Sequence, residues 1–271
     1  MATAHAGDGT VIYYETWGRG EPLLLISGLA TDLRIWACQR LVFGLRYRCI
    51  AVDNRGSGRS GKPPGPYSLI EMAADAAAVL NAEEVASAHV VGYSMGSYPA
   101  QILAVAQPER VRSLVLAASS SRHHPWRREL LADWSATAQA RGVHVMARRA
   151  FPYLLGRRTA RRFGLWINLL WPLVLSQPAH AFAAQVDALL DFSDEYRSYL
   201  AEVTAPTLVL VGADDRLTPP EDAEELAALV PGAQLYVVGG AGHVPMVEAA
   251  PDFNLAVLHF LAGVTAAAKT P

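Results

Sequence analysis

The chain has 271 residues, of which 52% are hydrophobic and 18% charged, and its formal net charge is −2. This composition is typical of a globular protein and excludes a disordered chain, and the small net charge gives no reason to expect nucleic-acid binding. The first residues lack the basic start and apolar core of a signal peptide. The uncharged apolar run at residues 163–175 is too short to span a bilayer. We therefore expect a cytoplasmic protein with no membrane span.

In chain order, apolar and β-branched runs predict strands at residues 10–17, 23–26, 47–52, 89–91, 111–117, 207–212 and 234–238. Helical patterns follow, one ending near residue 43 and others at 69–80, 97–107, 220–230 and 251–261. Ser68 and Glu71 form a capping box for the second of these helices. Strands that alternate with helices predict an α/β fold whose mostly parallel sheet is covered on both faces.

A glycine-rich segment at residues 53–61 follows the third predicted strand. Its glycines match the spacing of a dinucleotide-binding loop, but such a loop opens a helix, and the Lys-Pro-Pro-Gly-Pro sequence at 62–66 cannot be helical. We therefore predict a tight structural loop in which Asp53 pairs with Arg55. His5 is assigned to a loose start of the chain. Cys38 and Cys49 are predicted to be buried free thiols rather than a disulfide or a metal site.

The sequence Gly92-Tyr93-Ser94-Met95-Gly96 is a G-x-S-x-G segment between a predicted strand and a predicted helix. In this context the serine occupies a sharp, strained turn at the end of the sheet, and the glycines avoid collisions with neighbouring backbone. The Met95 amide, at the start of the helix, points to where an oxyanion would form. We predict that Ser94 is a nucleophile; the alternative is a serine in an ordinary glycine turn.

A serine nucleophile needs a base that a third group orients. Of the eight histidines, His243 alone lies in a glycine-bracketed loop after a late strand, from which its side chain can reach the serine. The alternative is a histidine in a surface loop. If the chain order is serine, acid, histidine, the acid follows the strand at 207–212 and is Asp214 or Asp215.

Residues 122–196 interrupt the alternation, with helical patterns and no convincing strand. We predict that they form a helical cap over Ser94, inserted into an α/β core made of residues 1–121 and 197–271. The cap holds four tryptophans that are candidate substrate-binding residues: Trp126, Trp134, Trp166 and Trp171.

The predicted cap is rich in arginine, with ten arginines against three acidic residues over 122–190. Arg157, Arg158, Arg161 and Arg162 form like-charge pairs four residues apart on a helix, which a solvated face tolerates. The alternative is that these arginines meet an anion, such as a substrate carboxylate, a carrier phosphate or an acidic partner surface.

Together, five motifs resemble the α/β-hydrolase superfamily. They are Ser27-Gly28-Leu29, Asp53-x-Arg55-Gly56-x-Gly58-x-Ser60, the Ser94 segment, Gly212-x-x-Asp215-x-x-Thr218-Pro219 and Gly242-His243-x-Pro245-x-x-Glu248. The resemblance covers nearly all of the chain outside the predicted cap. It implies the α/β-hydrolase fold, Asp215 as the acid, and the Leu29 amide as an oxyanion donor beside Met95. Ser97 stands where a glycine is common in the family. Residues 28–36 also look like those of enol-lactonases, small esterases and cofactor-free haloperoxidases.

The resemblance and the residues together predict a serine hydrolase that cleaves an ester or lactone of a small to medium, partly apolar molecule. Ser94, His243 and Asp215 would perform this reaction without a metal or a cofactor. Three alternatives remain: thioester or C–C bond cleavage by the same triad, a ligand-binding protein on the same scaffold, and a carrier-docking or membrane-docking module. The expected partner is a small-molecule substrate, and a homodimer is the alternative to a monomer.

Overall fold

A central sheet organises the computed structural model, which describes residues 2–174, 177–192 and 194–267, without the side chains of 170–174 and 194–195. Its strands are β1 (Ala2–His5), β2 (Val11–Gly18), β3 (Glu21–Ile26), β4 (Tyr47–Val52), β5 (Ala88–Tyr93), β6 (Val111–Ala117), β7 (Thr207–Gly212) and β8 (Gln234–Val238). They form one eight-stranded sheet in the order β1-β2-β4-β3-β5-β6-β7-β8. The predicted α/β class and mostly parallel sheet are confirmed.

Parallel pairing runs without interruption from β4 to β8, whereas β1 and β2 are antiparallel to their neighbours. The central strands are buried on both faces; Leu23, Leu24 and Leu25 of β3 are all 0% exposed. Continuous apolar runs therefore form strands here because every side chain, on either face, is removed from water. The carboxyl ends of the parallel strands lie at one edge of the sheet. The segments that contain Ser94, Asp215 and His243 follow β5, β7 and β8 at this edge.

Helices cover both faces of the sheet. The helices outside the β6–β7 connection are α1 (Ala37–Gly44), α2 (Leu69–Ala82), α3 (Ser97–Ala106), α8 (Pro220–Leu229), α9 (Pro245–Glu248) and α10 (Ala250–Ala267). One core cluster packs α2, α3 and α8 against the sheet, and a second packs α1 and α10 against the opposite face. The Ser68–Glu71 capping box begins α2, as predicted.

Among the residues described between β6 and β7 are four α-helices, α4 (Pro125–Arg141), α5 (Val143–Leu154), α6 (Arg157–Val174) and α7 (Ala179–Leu190), and a 3-10 helix, Asp194–Glu202. Trp134, Met146 and Phe182 from these helices share a third core cluster with Met95 and Tyr98 beside Ser94. Apolar side chains therefore hold these helices over the carboxyl edge of the sheet. That residues 122–196 act as a separate cap domain stays a prediction.

Three local expectations are wrong. His5 is not in a loose start, because residues 2–5 pair with β2 as the edge strand β1. Cys38 is exposed rather than buried, since it lies on the solvent side of α1, whereas Cys49 is buried. The last helix continues past residue 261 to Ala267.

The expected Asp53–Arg55 pair does not form. Arg55 instead donates Nε and Nη2 to the two oxygens of Asp75 on α2, at 2.7 and 2.8 Å, and both side chains are 4% exposed. Asp53 accepts the backbone N–H groups of Leu33 and Arg59, because the 53–61 loop folds back around its carboxylate. No helix begins within residues 53–61; the next one begins at Leu69.

The buried Arg55–Asp75 pair generates a stability prediction. Asp75→Ala should lower the free energy of unfolding by about 3–5 kcal/mol, because it leaves a buried guanidinium without its main partner. Asp133→Ala is the matched control, since Asp133 pairs with Arg149 at the surface, with side chains 45% and 50% exposed, and should cost less than about 1 kcal/mol. Urea unfolding of both variants measures the difference, and equal losses would contradict this account of the Arg55 site.

Candidate active site

Ser94 follows β5 directly and opens a short 3-10 turn, Ser94–Gly96, that leads into α3. Its φ is +50°, a left-handed conformation that costs a non-glycine residue about 1–3 kcal/mol. A side chain at Gly92 would place its Cβ 2.6 Å from the Gly96 carbonyl oxygen, and one at Gly96 would overlap the backbone of residues 26 and 27. The two glycines therefore allow the tight turn that presents the serine side chain.

A chain of hydrogen bonds joins Ser94 to His243 and Asp215. Ser94 Oγ lies 2.9 Å from His243 Nε2, and His243 Nδ1 lies 2.9 Å from Asp215 Oδ2. His243 and Asp215 are buried, whereas Ser94 is partly exposed. With Nδ1–H donating to the carboxylate, Nε2 is left as an acceptor for the serine hydroxyl. This arrangement can take a proton from Ser94.

Further hydrogen bonds fix the Asp215 carboxylate. Its Oδ1 accepts the N–H groups of Leu217 and Thr218, both at 2.9 Å, and its Oδ2 accepts the Thr218 hydroxyl at 2.8 Å. Asp214 has a different environment: its Oδ2 accepts the Arg157 amide at 3.0 Å, at the start of α6. Of the two acids that the sequence left open, Asp215 is therefore the one that reaches the imidazole.

The His243 loop is bonded to the α5–α6 connection. The His243 N–H donates to the Leu154 carbonyl at 2.9 Å. The two carboxylate oxygens of Glu248 accept the N–H groups of Gly242 and Gly156, each at 2.8 Å. Glu248 entered the sequence analysis only as part of a motif, and its position explains why an acid is useful there. It ties the imidazole-bearing loop to the helices above it.

The first loop of the motif set lies against the serine. A Cβ added at Gly28 would lie 3.1 Å from the Ser94 Cβ, so the backbone of residue 28 approaches the Ser94 side chain closely. Asn54 Nδ2 donates to the Ser27 carbonyl at 2.7 Å and fixes this loop. Leu29 and Met95 line the same cavity as Ser94. The Met95 amide belongs to a first helical turn, where N–H groups have no intrahelical acceptor.

A second hydrogen-bond chain supports the strained turn from below. Ser97 Oγ donates to the Ser94 carbonyl at 2.5 Å and lies 2.6 Å from Ser119 Oγ, which accepts Gln101 Nε2 at 3.2 Å. Because each hydroxyl has a single hydrogen, the bonds run in one direction, from Gln101 through Ser119 and Ser97 to Ser94. All three supporting side chains are buried. Ser97, the departure from the family pattern, thus donates a hydrogen bond to the backbone of the strained Ser94 turn.

The cavity beside Ser94 has a volume of about 90 Å³ and a mainly apolar wall. Its apolar side chains include Leu131, Trp134, Met146, Phe182 and Leu189 from α4, α5 and α7. His123, which the sequence analysis did not single out, also lines it. Burial and the charges of Arg127 and Arg128 lower the pKa of His123 to about 3, so this imidazole is neutral at neutral pH. Arg127 is a cationic side chain of the wall, and it is paired with the buried carboxylate of Asp222.

The four candidate tryptophans have different positions. Trp134 is buried and lines the cavity, where its ring packs edge-on against Tyr153. Trp126 and Trp166 are 42% and 62% exposed, and neither lines the cavity. Trp171 lies in α6, but its side chain is outside the described residues. Of these residues, Trp134 is the one placed to contact a ligand beside Ser94.

The arginines at the start of α6 lie outside the cavity. Arg157, Arg158, Arg161 and Arg162 are exposed, and the cavity wall contains none of them. Arg157 approaches Asp214, with 3.7 Å between Arg157 Nε and Asp214 Oδ1. These positions favour the solvated-face interpretation over a carboxylate-binding site for a substrate in the cavity.

Within the described ranges, no three His, Cys, Asp or Glu side chains are grouped closely enough to hold a metal ion. In that same part of the chain, no helix combines the length and the apolar character needed to cross a membrane.

Comparisons with known proteins agree with this fold. A family model described as the alpha/beta hydrolase fold matches residues 21–250. A protein of Azorhizobium caulinodans is provisionally named carbamate hydrolase RutD. It is 32% identical to this chain over 263 residues, and the match covers 96% of this chain and 98% of that protein. The enol-lactonase of Burkholderia xenovorans LB400 superposes with a TM-score of 0.89 at 25% identity, covering 96% of this chain and 100% of its own. A thermophilic esterase of Thermogutta terrifontis superposes with a TM-score of 0.89 at 29% identity, and the match covers 97% of this chain and 98% of the esterase.

The series of hydrogen bonds from Gln101 through Ser119 and Ser97 to Ser94 leads to a kinetic prediction. Ser97→Ala should lower kcat by about tenfold with little change in KM, because the Ser94 carbonyl loses a hydrogen bond worth about 1–1.5 kcal/mol. Ser113→Ala is the matched control, since Ser113 is also fully buried and its hydroxyl contacts His89, away from the site. Both variants should lose similar stability in thermal unfolding. A kcat that falls equally in both variants would assign Ser97 a purely structural role.

The two neighbouring acids can be separated by substitution. Asp215→Asn should lower kcat by a factor on the order of 10⁴, because the amide no longer holds the imidazole in the tautomer that accepts the serine proton. Asp214→Asn should stay within about tenfold, because its side chain accepts the Arg157 amide at the start of α6 and makes no contact with the imidazole among the described residues. Steady-state kinetics on one activated ester measure both variants. The reverse ranking would contradict the placement of the acid.

Proposed function

The chain belongs to the α/β-hydrolase family, and from this premise we propose that it is a serine hydrolase that cleaves a carboxylic ester or a lactone. The hydrogen-bonded sequence Ser94–His243–Asp215, at a strained turn that faces an apolar cavity, is the observation that carries this proposal. A binding protein has no need of a serine hydroxyl placed 2.9 Å from an imidazole that a carboxylate orients. The residues act as nucleophile, general base and orienting acid.

In the first half of the reaction, Ser94 Oγ attacks the carbonyl carbon while its proton passes to His243 Nε2. The carbonyl oxygen becomes an oxyanion, which the amides of Leu29 and Met95 stabilise; one such donor contributes about 10²–10³ in rate. Asp215 stabilises the imidazolium that forms. When the intermediate collapses, the C–O bond of the ester breaks, and the leaving oxygen takes the proton from His243. An acyl-enzyme on Ser94 remains.

In the second half, His243 removes a proton from a water molecule, whose oxygen attacks the acyl carbon. The same amides stabilise the second oxyanion. Collapse breaks the bond to Ser94 Oγ, which recovers its proton from His243, and the carboxylic acid leaves. The chain's own residues supply every proton transfer in this scheme, so it uses neither a metal nor a cofactor.

The cavity supports a small to medium, partly apolar substrate. Its volume of about 90 Å³ is several times the roughly 10–15 Å³ that one water molecule needs, which is room for an acyl group of a few carbon atoms. We propose that the helices of residues 122–196 form a cap that closes this space, with Trp134 in contact with the substrate. The names of the structural relatives, an enol-lactonase and an esterase, support the same two substrate classes.

Active-site labelling tests the proposal. A fluorophosphonate probe should modify Ser94, identified by mass spectrometry of the labelled peptide, because phosphonylation requires an activated hydroxyl. Ser94→Ala should abolish labelling and reduce kcat by a factor on the order of 10⁶, since members of a triad act as a unit. The assay panel should contain short-chain esters, lactones, thioesters and carbamates.

Ser87→Ala is the control, because Ser87 is a surface serine whose hydroxyl accepts a hydrogen bond from Arg112. It should keep both the label and the activity. Labelling that persists in Ser94→Ala would contradict the assignment of Ser94 as the nucleophile. A folded wild-type chain that is neither labelled nor active on any bond of the panel would favour the ligand-binding alternative.

A further inference from the structure

Helix α6 exposes a surface that the proposed hydrolysis does not use. Four of its apolar side chains are between 49% and 77% exposed: Phe163, Leu165, Trp166 and Leu169. Four exposed arginines precede them on the same helix: Arg157, Arg158, Arg161 and Arg162. We call these eight residues the α6 surface. Single exposed apolar side chains are common on soluble proteins, whereas four within seven residues of one helix mark an interaction site.

The helical repeat places basic and apolar residues on one side of α6. Arg158, Arg162, Leu165 and Leu169 follow the spacing i, i+4, i+7 and i+11, which is a single stripe along a helix. Gly164, on the other side, is buried against the fold. The stripe is basic over its first half and apolar over its second half. A partner that contacts this side therefore meets cations at one end and a protruding apolar ridge at the other.

The positive charge of this surface is largely uncompensated. Arg157 lies near Asp214, but Arg158, Arg161 and Arg162 form no ion pair with any residue that the structure describes. The guanidinium of Arg162 stands 5.2 Å from the ring centre of Phe163, so the two kinds of side chain adjoin. Residues 122–190 contain ten arginines and three acidic residues, so the segment that includes α6 carries a net positive charge.

We propose that the α6 surface binds the anionic face of a lipid bilayer, with the helix lying in the interface rather than crossing it. Arginines next to Trp, Phe and Leu are the composition of helices that rest at the headgroup level, where phosphates meet the cations and the apolar side chains enter the acyl region. A lipid surface also needs no shape complementarity from the protein. Self-association through this stripe is disfavoured, because a parallel two-fold pair would bring arginines against arginines and an antiparallel pair would bury them against the apolar half.

Sedimentation of the full-length chain with vesicles tests the proposal. One set of vesicles contains phosphatidylcholine alone, and the other also contains phosphatidylglycerol. We expect at least tenfold tighter binding to the anionic vesicles, and this binding should weaken as salt rises, because exposed charges are screened beyond about 8–10 Å. Ser94→Ala should bind like the wild type, so the result does not depend on the proposed hydrolysis.

Two double variants probe the two halves of the stripe. Arg158→Gln with Arg162→Gln should weaken binding by about 25-fold, since each basic residue at an anionic surface contributes about a factor of five. Leu165→Ser with Leu169→Ser should weaken binding by at least about tenfold, because less apolar surface leaves water. All four positions are exposed, so the fold should be retained. Both variants should keep the kcat/KM of the wild type on a small soluble ester.

Matched controls make the same chemical changes elsewhere on the surface. Arg19→Gln with Arg46→Gln removes two exposed charges, and Leu41→Ser with Leu255→Ser changes leucines that are 74% and 69% exposed. Each control should stay within about threefold of the wild type. If the arginine control weakens binding as much as the α6 variant, net charge rather than the α6 surface governs binding, and the proposal fails.

Three further results would overturn the proposal. The first is absence of binding, or equal binding to neutral and anionic vesicles. The second is a dimer in analytical ultracentrifugation that Leu165→Ser with Leu169→Ser dissociates, without any vesicle binding, which would make this face a contact between copies. The third is Arg158-dependent and Arg162-dependent binding to polyglutamate without binding to vesicles, which would indicate an acidic polypeptide partner.

Discussion

The left-handed backbone of Ser94 is the constraint on which the rest of the site depends. A φ of +50° at a residue with a side chain is unfavourable, so the surroundings must hold it in place. They do so from three directions: the backbone of residues 26 and 27 packs against Gly96, the start of α3 packs against Gly92, and the Ser97 hydroxyl bonds to the Ser94 carbonyl. Strand, helix and loop therefore meet at one residue, and the serine side chain emerges where all three leave space.

Sheet topology then brings the histidine and the acid to this residue. Strands β5, β6, β7 and β8 are successive neighbours in the sheet, so the segments that follow β7 and β8 end beside each other at the same edge as Ser94. Gly212 allows the two loops to touch, because a Cβ at this position would overlap the carbonyls of residues 241 and 242. Residues separated by 149 positions in the chain can thus share a 2.9 Å hydrogen bond.

Much of this could be predicted because it has a local signature. The buried strands are apolar runs, and the Ser94 segment is recognised from five residues and its flanking strand and helix. Other features have no local signature. The partner of Arg55 lies twenty positions away on a different element. The tryptophans look alike in sequence, and only tertiary packing separates the buried Trp134 from the exposed Trp126 and Trp166.

The double hydrogen bond of Glu248 has a consequence for how such enzymes can be recombined. Its two oxygens hold Gly242 and Gly156, one beside His243 and the other between α5 and α6. The helices over the sheet are therefore connected to the imidazole-bearing loop by hydrogen bonds from and to their backbone. Substituting side chains in those helices leaves these backbone groups in place. A chimera that exchanges only residues 122–196 with a relative keeps a working imidazole only if the incoming chain presents an N–H and a carbonyl where Gly156 and Leu154 stand. Evolution can thus vary the cavity wall freely while the α5–α6 corner keeps its backbone course.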